Sequence, residues 1–499
     1  MSQERKFIAF DLGAESGRCV VVRLKDKKLT LNEVHRFVTH SVRYEKGFHW
    51  DILALYKEIL KGLSEAGKAF GSQFDGIGVD TWGVDYVLVD AEGRIIGNPY
   101  HYRDDRTDGV MEEAFTIVRE EKIYAKTGIQ FAQFNTLFQL FSEQKRSSSF
   151  LCLAQKMLLM PDFMNSLLSG VAKAEFSIAS TTSLTDPVTR DWAWDLIDTF
   201  QFPRQLFQEM VEPATVLGTL LPSIAKNTGL GSDIPVIATA GHDTAAAVMS
   251  VPADSRANWG FLSSGTWSLM GVELDRPMLT PAAMQHNFTN EGGIAGTTRF
   301  LKNIIGLWPL QECRRQWAEN SVDYSYAALT DLAEWQGFVK AWVDLNDPRF
   351  FKAGDMPNKV LAYLEETGQP AKSDAGYIVR VILESLAFSY RKTWKEIETL
   401  TGRRLTKLHA VGGGIQNELL MQLTADALGC QVFAGPVEGT VIGNGGGQAL
   451  ATGAVSDLEE WRRVVANSVS PKVYQPGDSD YFNDRDDAFE ALVRTRNVS

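Results

Sequence analysis

A chain of 499 residues is long enough for two or three domains. Hydrophobic residues make up 44% and charged residues 22% of it, values typical of an ordinary globular protein. The net charge of −12 and the lack of a basic tract exclude a general nucleic-acid-binding protein.

The chain shows no feature of a secreted or membrane protein. Residues 1–6 lead into an apolar strand without the apolar core of a signal peptide. No apolar run reaches the roughly 20 residues that a membrane helix needs. Four scattered cysteines contain no CxxC pair, which argues against a zinc site or a disulfide framework. We therefore expect a cytoplasmic protein that binds neither nucleic acid nor a membrane.

The first predicted element is a β-hairpin with a loop suited to phosphate. An apolar strand ends in Asp11, and a second follows a loop that contains Gly13, Ser16 and Gly17. Such a loop lets backbone N–H groups and a hydroxyl approach phosphate oxygens. Arg18 offers a positive charge, and Asp11 could hold Mg²⁺ through water. A plain hairpin with a capping aspartate would give the same pattern.

The next predicted elements are a helix over 51–70 and two strands around a polar kink over 76–89. Gly83 lies in the kink, where a ligand could approach the backbone closely. Trp82 beside it could pack on a sugar, although a tryptophan is more often part of the core. The charge cluster over 102–106 fits either a salt-bridged loop or the edge of a substrate site.

The sequence pattern of residues 110–230 does not by itself indicate a catalytic or binding role. It predicts a helix over 131–140, a second over 151–168 that is broken at Pro161, and a polar loop over 177–183. We expect this region to contribute walls of a substrate cleft.

The central stretch over 234–248 predicts a buried strand, a glycine turn and the start of a helix. Asp243 falls at that start, where a carboxylate is held rigidly and remains reachable. This position suits a general base, which must lie within hydrogen-bond distance of the proton it takes. An N-cap would also explain Asp243. Its place near the middle of the chain, between two similar loops, favours the base.

The strand, loop and strand of the first hairpin recur over 259–272, where the loop contains Ser264, Gly265 and Thr266. The recurrence is one of pattern and not of residue identity. Because internal repetition constrains a whole fold, it predicts a duplicated architecture with one phosphate-binding hairpin in each half.

Two further segments could contribute to a site. Residues 301–311 predict the start of a helix on which Asn303 and Gln311 lie two turns apart and face one side, although two solvated amides explain them equally well. A strand, the glycine run 412–414 and a helix over 418–428 predict a nucleotide site, because glycine lets the backbone pass against a flat base or ribose.

Five segments together resemble the FGGY family of carbohydrate kinases, namely residues 11–18, 78–85, 241–244, 263–269 and 411–417. The resemblance extends over almost the whole chain, from about residue 7 to 455. It implies a two-domain α/β fold like that of actin, Hsp70 and hexokinase, a duplicated ribonuclease H-like fold with an active-site cleft between domains. The expected domains are residues 1–247 and 248–499.

The resemblance also implies an activity, the ATP-dependent transfer of a phosphoryl group to a small-molecule sugar with Mg²⁺ and without a protein partner. The combination of DTWGVD, GHDT and SSGTWSLMG is similar to that of members that phosphorylate the C1 hydroxyl of L-rhamnulose in L-rhamnose catabolism. A kinase of L-fuculose or of another ketose or polyol is the alternative. An actin- or Hsp70-like nucleotide switch would hydrolyse ATP without regard to sugars. A sugar-responsive transcription regulator would need a DNA-binding segment, for which we expect no room.

Matching each motif to the family implies residue roles. Asp243 would be the base, and Asp11 would lie near Mg²⁺. The residues implied at the sugar are Gly83, His242, Asp243, Thr244 and Asn303. The residues implied at ATP are Ala14, Glu15, Ser16, Gly17, Arg18, Thr266, Gln311 and Gly413. One departure from the family is the run Gly445–Gly447, where relatives carry larger residues. Each helical glycine costs about 1 kcal/mol, so we expect this helix to be looser or to start later.

Overall fold

A computed structural model describes residues 4–146, 149–253 and 258–494. The described residues fall into two compact units, each assembled from three stretches of chain. Unit 1 comprises the described residues within 1–254, 273–300 and 439–469, and unit 2 those within 255–272, 301–438 and 470–499. The boundary at 247 and 248 between two family domains stays a prediction.

The strands, in chain order, are β1 (Arg5–Leu12), β2 (Ser16–Lys25), β3 (Lys28–Val38), β4 (Ser41–Tyr44), β5 (Gly47–Trp50), β6 (Gly76–Thr81), β7 (Tyr86–Val89), β8 (Lys156–Leu159), β9 (Ala174–Glu175), β10 (Thr185–Asp186), β11 (Asp191–Trp192), β12 (Met210–Val211), β13 (Thr215–Thr219), β14 (Pro235–Ala238), β15 (Trp259–Ser264), β16 (Trp267–Leu274), β17 (Thr289–Gly292), β18 (Thr298–Ile305), β19 (Lys407–Val411), β20 (Gln431–Ala434) and β21 (Lys472–Tyr474).

The α-helices are α1 (Ile52–Phe70), α2 (Val110–Ile117), α3 (Glu120–Thr127), α4 (Thr136–Lys145), α5 (Ser149–Leu153), α6 (Met160–Ser169), α7 (Phe176–Ala179), α8 (Trp194–Thr199), α9 (Pro222–Thr228), α10 (Asp243–Met249), α11 (Pro281–Gln285), α12 (Trp308–Glu319), α13 (Tyr326–Trp335), α14 (Met356–Glu366), α15 (Ala375–Thr401), α16 (Glu418–Leu428), α17 (Gly439–Ala451), α18 (Leu458–Ser468), α19 (Ser479–Asn483) and α20 (Asp486–Arg494). Short 3₁₀ helices occupy Asp105–Thr107, Ser180–Thr182, Arg204–Leu206, Pro348–Phe350 and Gly413–Gln416.

Unit 1 is built on a sheet with the strand order β13-β14-β6-β1-β2-β3. Strands β1 and β2 form an antiparallel hairpin, while β6 runs parallel to β1 and to β14. The apolar run of β1 is fully buried because both faces of this strand are covered. Phe10 packs toward Gly62 of α1, whereas Phe7 and Ala9 join the core cluster that includes Val441 of α17.

Unit 2 contains strands in the order β18-β16-β15-β19-β20-β21. Only the residues of β16 up to Val272, and those of β18 from Leu301 onward, belong to this unit. Strands β15 and β16 form the antiparallel hairpin, and β15 and β20 both run parallel to β19. A hairpin whose first strand pairs in parallel with a later strand thus occurs in each unit, so the predicted repetition is confirmed.

Local signals placed several helices correctly. Asp51 caps α1 by accepting a hydrogen bond from the Ala54 N–H, and Asn417 caps α16 in the same way. Gly429 closes α16 with the left-handed backbone that glycine adopts without strain. Among the residues that the structure describes, no helix is both long and apolar enough to cross a membrane.

Three predictions from the middle of the chain were wrong. The expected helix over 151–168 is instead a short helix, strand β8 and then α6, in which Pro161 occupies the first turn. The polar loop over 177–183 contains α7 and a 3₁₀ helix. The expected helix start over 301–311 is the end of strand β18 followed by α12. Pairing between strands, which no local pattern records, decides the first and third cases.

The expected later start of the glycine-rich helix was also wrong, because α17 begins at Gly439 and runs unbroken through Gly445–Gly447. Its expected looseness stays a prediction. A Cβ atom at these three positions would press on Val22, Trp461 and Thr239 respectively. The lack of side chains therefore serves close packing of α17 on its neighbours, which offsets the low helix propensity of glycine.

Candidate active site

The turn before α10 carries Asp243 and is fixed by buried hydrogen bonds. The Gly241 N–H donates to Glu175 Oε2 (2.9 Å), and the His242 N–H donates to Ser177 Oγ (3.3 Å). The Gly241 carbonyl accepts from the Thr81 N–H (2.9 Å). The turn is thereby joined to α7 and to the end of β6, so the position of the aspartate is set by backbone contacts on both sides.

Glu175 is a buried carboxylate that sequence reasoning missed. It caps α7, with Oε1 accepting from the Ser177 N–H (2.6 Å), and Oε2 also accepts from the Ser177 hydroxyl (2.6 Å). Burial raises its pKa, and these donors partly offset that effect. A Cβ on Gly241 would lie 2.7 Å from Glu175 Oε2, so this contact requires glycine.

Asp243 is the first residue of α10, and its neighbour His242 occupies the N-cap position without a side-chain capping bond. The Asp243 carboxylate does not cap the helix; Oδ1 accepts from the Thr244 hydroxyl (3.1 Å). About a third of its side chain is exposed (34%), so the carboxylate is accessible. Partial burial raises its pKa, His242 opposes the rise, and the charge of Asp11 adds to it. The N-cap alternative is therefore not the arrangement found.

The His242 ring joins Asp243 to two buried charged residues. His242 Nε2 lies 3.4 Å from Asp243 Oδ1. On the other side of the ring, Nδ1 faces Arg299 Nη2 at 3.1 Å and Glu291 Oε2 at 3.2 Å. Neither Arg299 nor Glu291 was expected at the site from the sequence.

The first hairpin brings Asp11 and Arg18 together. They face each other in the β1–β2 register, and Asp11 Oδ2 accepts from Arg18 Nε (2.9 Å) and Nη2 (2.7 Å). In the loop between them, the Gly13 N–H donates to the Ser16 carbonyl (3.0 Å). Thr39 holds the loop from outside, with its hydroxyl donating to the Gly13 carbonyl (2.7 Å). The predicted phosphate loop is thus a tight turn, and the Arg18 guanidinium at its base is paired with Asp11.

The other loop residues follow the same turn. The Thr39 N–H donates to the Glu15 carbonyl (3.0 Å). Ala14 is half-buried, whereas Glu15 and Ser16 are exposed. A Cβ on Gly17 would overlap the Phe37 ring, so glycine is needed where β2 meets β3.

Asp80 stands beside Asp11 in the parallel register of β1 and β6 and is fully buried. Its Oδ2 accepts from Asn444 Nδ2 of α17 (2.6 Å), whereas Oδ1 has no hydrogen-bond partner among the described residues. Burial raises its pKa well above the usual range, and the charge of Asp11 adds to the rise. A divalent cation would relieve this crowding of negative charge.

The residues present fit Mg²⁺. No group of three or more histidine, cysteine or acidic side chains in the described ranges could enclose a metal ion. Mg²⁺ usually binds through one or two carboxylates, with water and phosphate oxygens completing its shell. Asp11 lies beside the crowded Asp80 and is 13% exposed, so its carboxylate fits this kind of site.

Gly83 follows β6 and precedes a strained residue. Val84 has a φ of +68°, an outlier for a β-branched side chain. Its N–H donates to Thr181 Oγ1 (3.0 Å), and its carbonyl accepts from Thr136 Oγ1 (2.6 Å). A Cβ on Gly83 would lie 3.1 Å from Thr181. Two threonines thus hold the kink in which the predicted sugar residue lies.

Asp85 anchors the far end of this kink. Oδ2 accepts from the indoles of Trp50 (2.6 Å) and Trp82 (3.0 Å), and Oδ1 accepts from Gln139 Nε2 (3.1 Å). Burial raises the pKa of Asp85 to about 6, against the opposing effect of these donors. Trp82 is 6% exposed and packs against Trp50, with ring centroids 4.2 Å apart and ring planes tilted by 37°. Trp82 is therefore a core residue, the alternative given for it above.

We expect the raised pKa of Asp85 to make stability fall as pH rises from about 4 to about 6, since the folded state holds this proton more tightly than the unfolded state. The loss is of order 3 kcal/mol from this group. Urea unfolding between pH 4 and 7 would measure it. The Asp85→Asn variant should lack this part of the slope. Equal slopes for the two proteins would contradict the shift.

The remaining predicted ATP residues lie in unit 2, around its hairpin. The Thr266 carbonyl accepts from Gly306 N–H (3.1 Å) and Trp308 N–H (3.3 Å), which ties the hairpin to the start of α12. Gln311 lies in the first turn of that helix. Asn303 lies on β18, so the expectation that it shares a helix face with Gln311 was wrong.

The predicted strand, glycine run and helix are present as β19, residues 412–414 and α16. A Cβ on Gly414 would overlap the Ser264 hydroxyl, so the run packs directly on the hairpin. A Cβ on Gly413 would have no described atom within 4 Å. That open space is compatible with a flat ligand against the backbone.

Comparison with known proteins agrees with this architecture. The N-terminal domain of the FGGY family of carbohydrate kinases matches residues 6–250, and the C-terminal domain of that family matches residues 260–452. A rhamnulokinase of Bacteroides thetaiotaomicron is 42% identical over 475 residues, covering 95% of this chain and 96% of that protein. A rhamnulokinase of Halalkalibacterium halodurans is 41% identical over 471 residues, covering 94% and 99%.

A crystal structure of xylulose kinase from Rhodospirillum rubrum has the same fold, with a TM-score of 0.80 at 20% identity over 98% of this chain and 99% of that chain. The fold and the matched domains define a carbohydrate kinase, a phosphotransferase that uses ATP. The chain belongs to the FGGY family of carbohydrate kinases.

Proposed function

We propose that this kinase transfers the γ-phosphoryl group of ATP to the C1 hydroxyl of L-rhamnulose. The observation that carries the proposal is the similarity to proteins named rhamnulokinase at 41–42% identity over nearly the full length of each chain. At this identity over such a length, the substrate of the relatives is the best first hypothesis for this chain.

In the proposed reaction, Asp243 orients the sugar hydroxyl and takes its proton as the new O–P bond forms and the bond to the bridging oxygen of ADP breaks. Its partial exposure makes it accessible, and its raised pKa makes it a stronger base than an ordinary aspartate. The hydrogen bonds of Gly241 and His242 to Glu175 and Ser177 keep the carboxylate in place during the transfer.

The other site residues take the roles implied by the family. Gly83, His242, Thr244 and Asn303 would contact the sugar. The loop 14–18 would bind ATP phosphates, together with Thr266, Gln311 and Gly413. Asp11 would hold Mg²⁺, which neutralises phosphate charge when bound. The Asp11–Arg18 pair supports this assignment because it orients a carboxylate and a guanidinium beside the loop.

Two further parts of the proposal concern the whole chain, namely its division into domains and its location in the cell. We assign residues 1–247 and 248–499 to the two family domains. The matches of the family's two domains to residues 6–250 and 260–452 support a division of the chain near this point. We also propose a cytoplasmic protein with no obligatory protein partner; its four unpaired cysteines are compatible with a reducing compartment.

The first experiment is a coupled assay of ADP release with Mg-ATP against L-rhamnulose, L-fuculose, L-ribulose, D-xylulose and glycerol. We expect ADP release that depends on L-rhamnulose, with kcat/KM at least tenfold above that for the other acceptors. Mass spectrometry of the product would identify the sugar 1-phosphate. Dependence on another acceptor would overturn the substrate and keep the kinase. Release without any sugar would favour the nucleotide-switch alternative. Chelation of Mg²⁺ with EDTA should stop the reaction, and added Mg²⁺ should restore it.

A further inference from the structure

Arg299 and Glu291 form a buried charged pair behind the proposed base. Arg299 is fully buried on β18, and Glu291 is 4% exposed on β17. Arg299 Nε donates to the Gly292 carbonyl (2.9 Å), and Nη1 lies 3.0 Å from Glu291 Oε2. Because the guanidinium is planar and is held at two of its nitrogens, the direction of its third nitrogen is fixed.

That third nitrogen determines which ring nitrogen of His242 carries the proton. Arg299 Nη2 forms a hydrogen bond with His242 Nδ1 at 3.1 Å. A guanidinium can only donate, so Nδ1 must accept. The neutral ring then carries its proton on Nε2, the nitrogen 3.4 Å from Asp243 Oδ1.

The opposite tautomer is less favourable. It would donate from Nδ1 to Glu291 Oε2, 3.2 Å away, but would also direct this N–H against the N–H of Arg299. It would further turn the lone pair of Nε2 toward the Asp243 carboxylate. The Nε2–H form has one unfavourable contact, in which the Nδ1 lone pair faces the Glu291 carboxylate. The positive charge of Arg299 neutralises that carboxylate, so the contact costs little.

We propose that Arg299 and Glu291 are positioning residues that hold His242 as the Nε2–H tautomer, so that the ring donates toward Asp243 and keeps its carboxylate oriented and ionised. The inference rests on the proposed function, in which Asp243 is the base. It adds two residues of β17 and β18 that touch neither the sugar nor ATP in the roles assigned above.

Other charged groups also act on Asp243. Asp11 of β1 raises the pKa of Asp243. The charge of Asp243 in turn raises the pKa of Asp80 of β6, and Arg18 opposes that rise. Glu175, before α7, lies close enough to act on Arg299. Removing the Arg299 charge should therefore make the His242–Asp243 pair bind a proton more tightly, and removing the Glu291 charge should do the opposite.

The test compares the pH dependence of kcat/KM for L-rhamnulose in the wild type, Arg299→Met, Glu291→Gln and the double variant. The acid limb is the fall of kcat/KM at low pH. Its midpoint should move up by about 1 pH unit in Arg299→Met and down by a similar amount in Glu291→Gln. The double variant should return toward the wild-type limb, because the two removed charges cancel. A merely structural pair would lower activity in all three variants without opposite shifts.

A second measurement needs no variant of the pair. ¹⁵N shifts of histidine rings in the ¹⁵N-histidine-labelled wild type report the tautomer, and His242→Gln identifies the signal among the seven histidines. We expect the His242 signal to show a protonated Nε2 and an unprotonated Nδ1. A protonated Nδ1, or shifts of the acid limb in one common direction, would overturn the proposal. A wild type without sugar-dependent activity would instead refute the proposed function, and the NMR result would still decide the tautomer.

Discussion

The Asp243→Asn variant should retain ATP binding and lose nearly all phosphoryl transfer. Asparagine has almost the shape of aspartate, and its amide oxygen can keep the contact with the Thr244 hydroxyl. The amide cannot take a proton from the sugar. Because general-base catalysis contributes roughly 10²–10⁴-fold, kcat should fall at least about 100-fold. Steady-state ADP release with L-rhamnulose gives kcat, and calorimetric titration with ATP tests binding.

The matched control is Asp374→Asn, another aspartate at a helix start. Asp374 caps α15 by accepting from the Tyr377 N–H (2.9 Å), and asparagine caps a helix about as well. This control should keep full activity. Normal turnover in Asp243→Asn would remove the base from the proposed mechanism, whichever sugar is the substrate.

The elements that the sequence predicted correctly are those with strong local signals. The helix α1 combines an aspartate N-cap with a regular apolar stripe, and α16 lies between Asn417 and Gly429. The two hairpins contain small-residue loops between apolar runs. In each case the decisive interactions lie within a few residues, so the local pattern contains the information.

Asn303 illustrates where local reasoning fails. The segment over 301–305 is too short and too mixed for its periodicity to separate a strand from a helix turn. It belongs to β18, whose conformation depends on pairing with other strands of the sheet and not on its own periodicity. The strand β8 was missed for the same reason, since its partner β7 lies some 70 residues earlier.

The residues of the candidate site also fall into two groups, those that local sequence motifs predict and those that they do not. Asp11, Gly83 and Asp243 lie in short motifs, and the sequence could single them out. The residues that support them come from far along the chain: Glu175 bonds to Gly241 across 66 positions, and Arg299 to His242 across 57. A single sequence contains no record of such pairs. Their common signal is a polar residue within an apolar or glycine-rich element, which predicts burial but not its partner.

Asn444 is a more distant support than these, 364 positions from Asp80. It reaches three acceptors, Asp80 Oδ2 and the carbonyls of Phe10 (3.2 Å) and Gly78 (3.3 Å). Gln448, one turn later, donates to the Ile8 carbonyl (2.9 Å). Polar side chains can reach the carbonyls of β1 and β6 only because the glycines of α17 allow the helix to lie close to them.

Replacing Gly443 with alanine should be the most damaging substitution in this helix. A Cβ at Gly443 would overlap the carbonyl oxygen of Ala246, a backbone atom of α10 that cannot rotate away. The added methyl group must therefore displace α10, the helix that begins at Asp243. Overpacking usually costs about 1–3 kcal/mol, and we expect more than about 3 kcal/mol here because the obstacle is backbone.

Urea unfolding and kcat should both report the change in Gly443→Ala, with a lower midpoint and a loss of turnover that exceeds any loss of ATP binding. The matched control is Gly218→Ala in β13, where the nearest atom to the new Cβ is 3.6 Å away and ordinary contact is possible. That control should stay within about 0.5 kcal/mol of the wild type. An unfolding midpoint of Gly443→Ala equal to that of the control would show that α10 and α17 can separate without cost. The position of the proposed base would then not depend on their close contact.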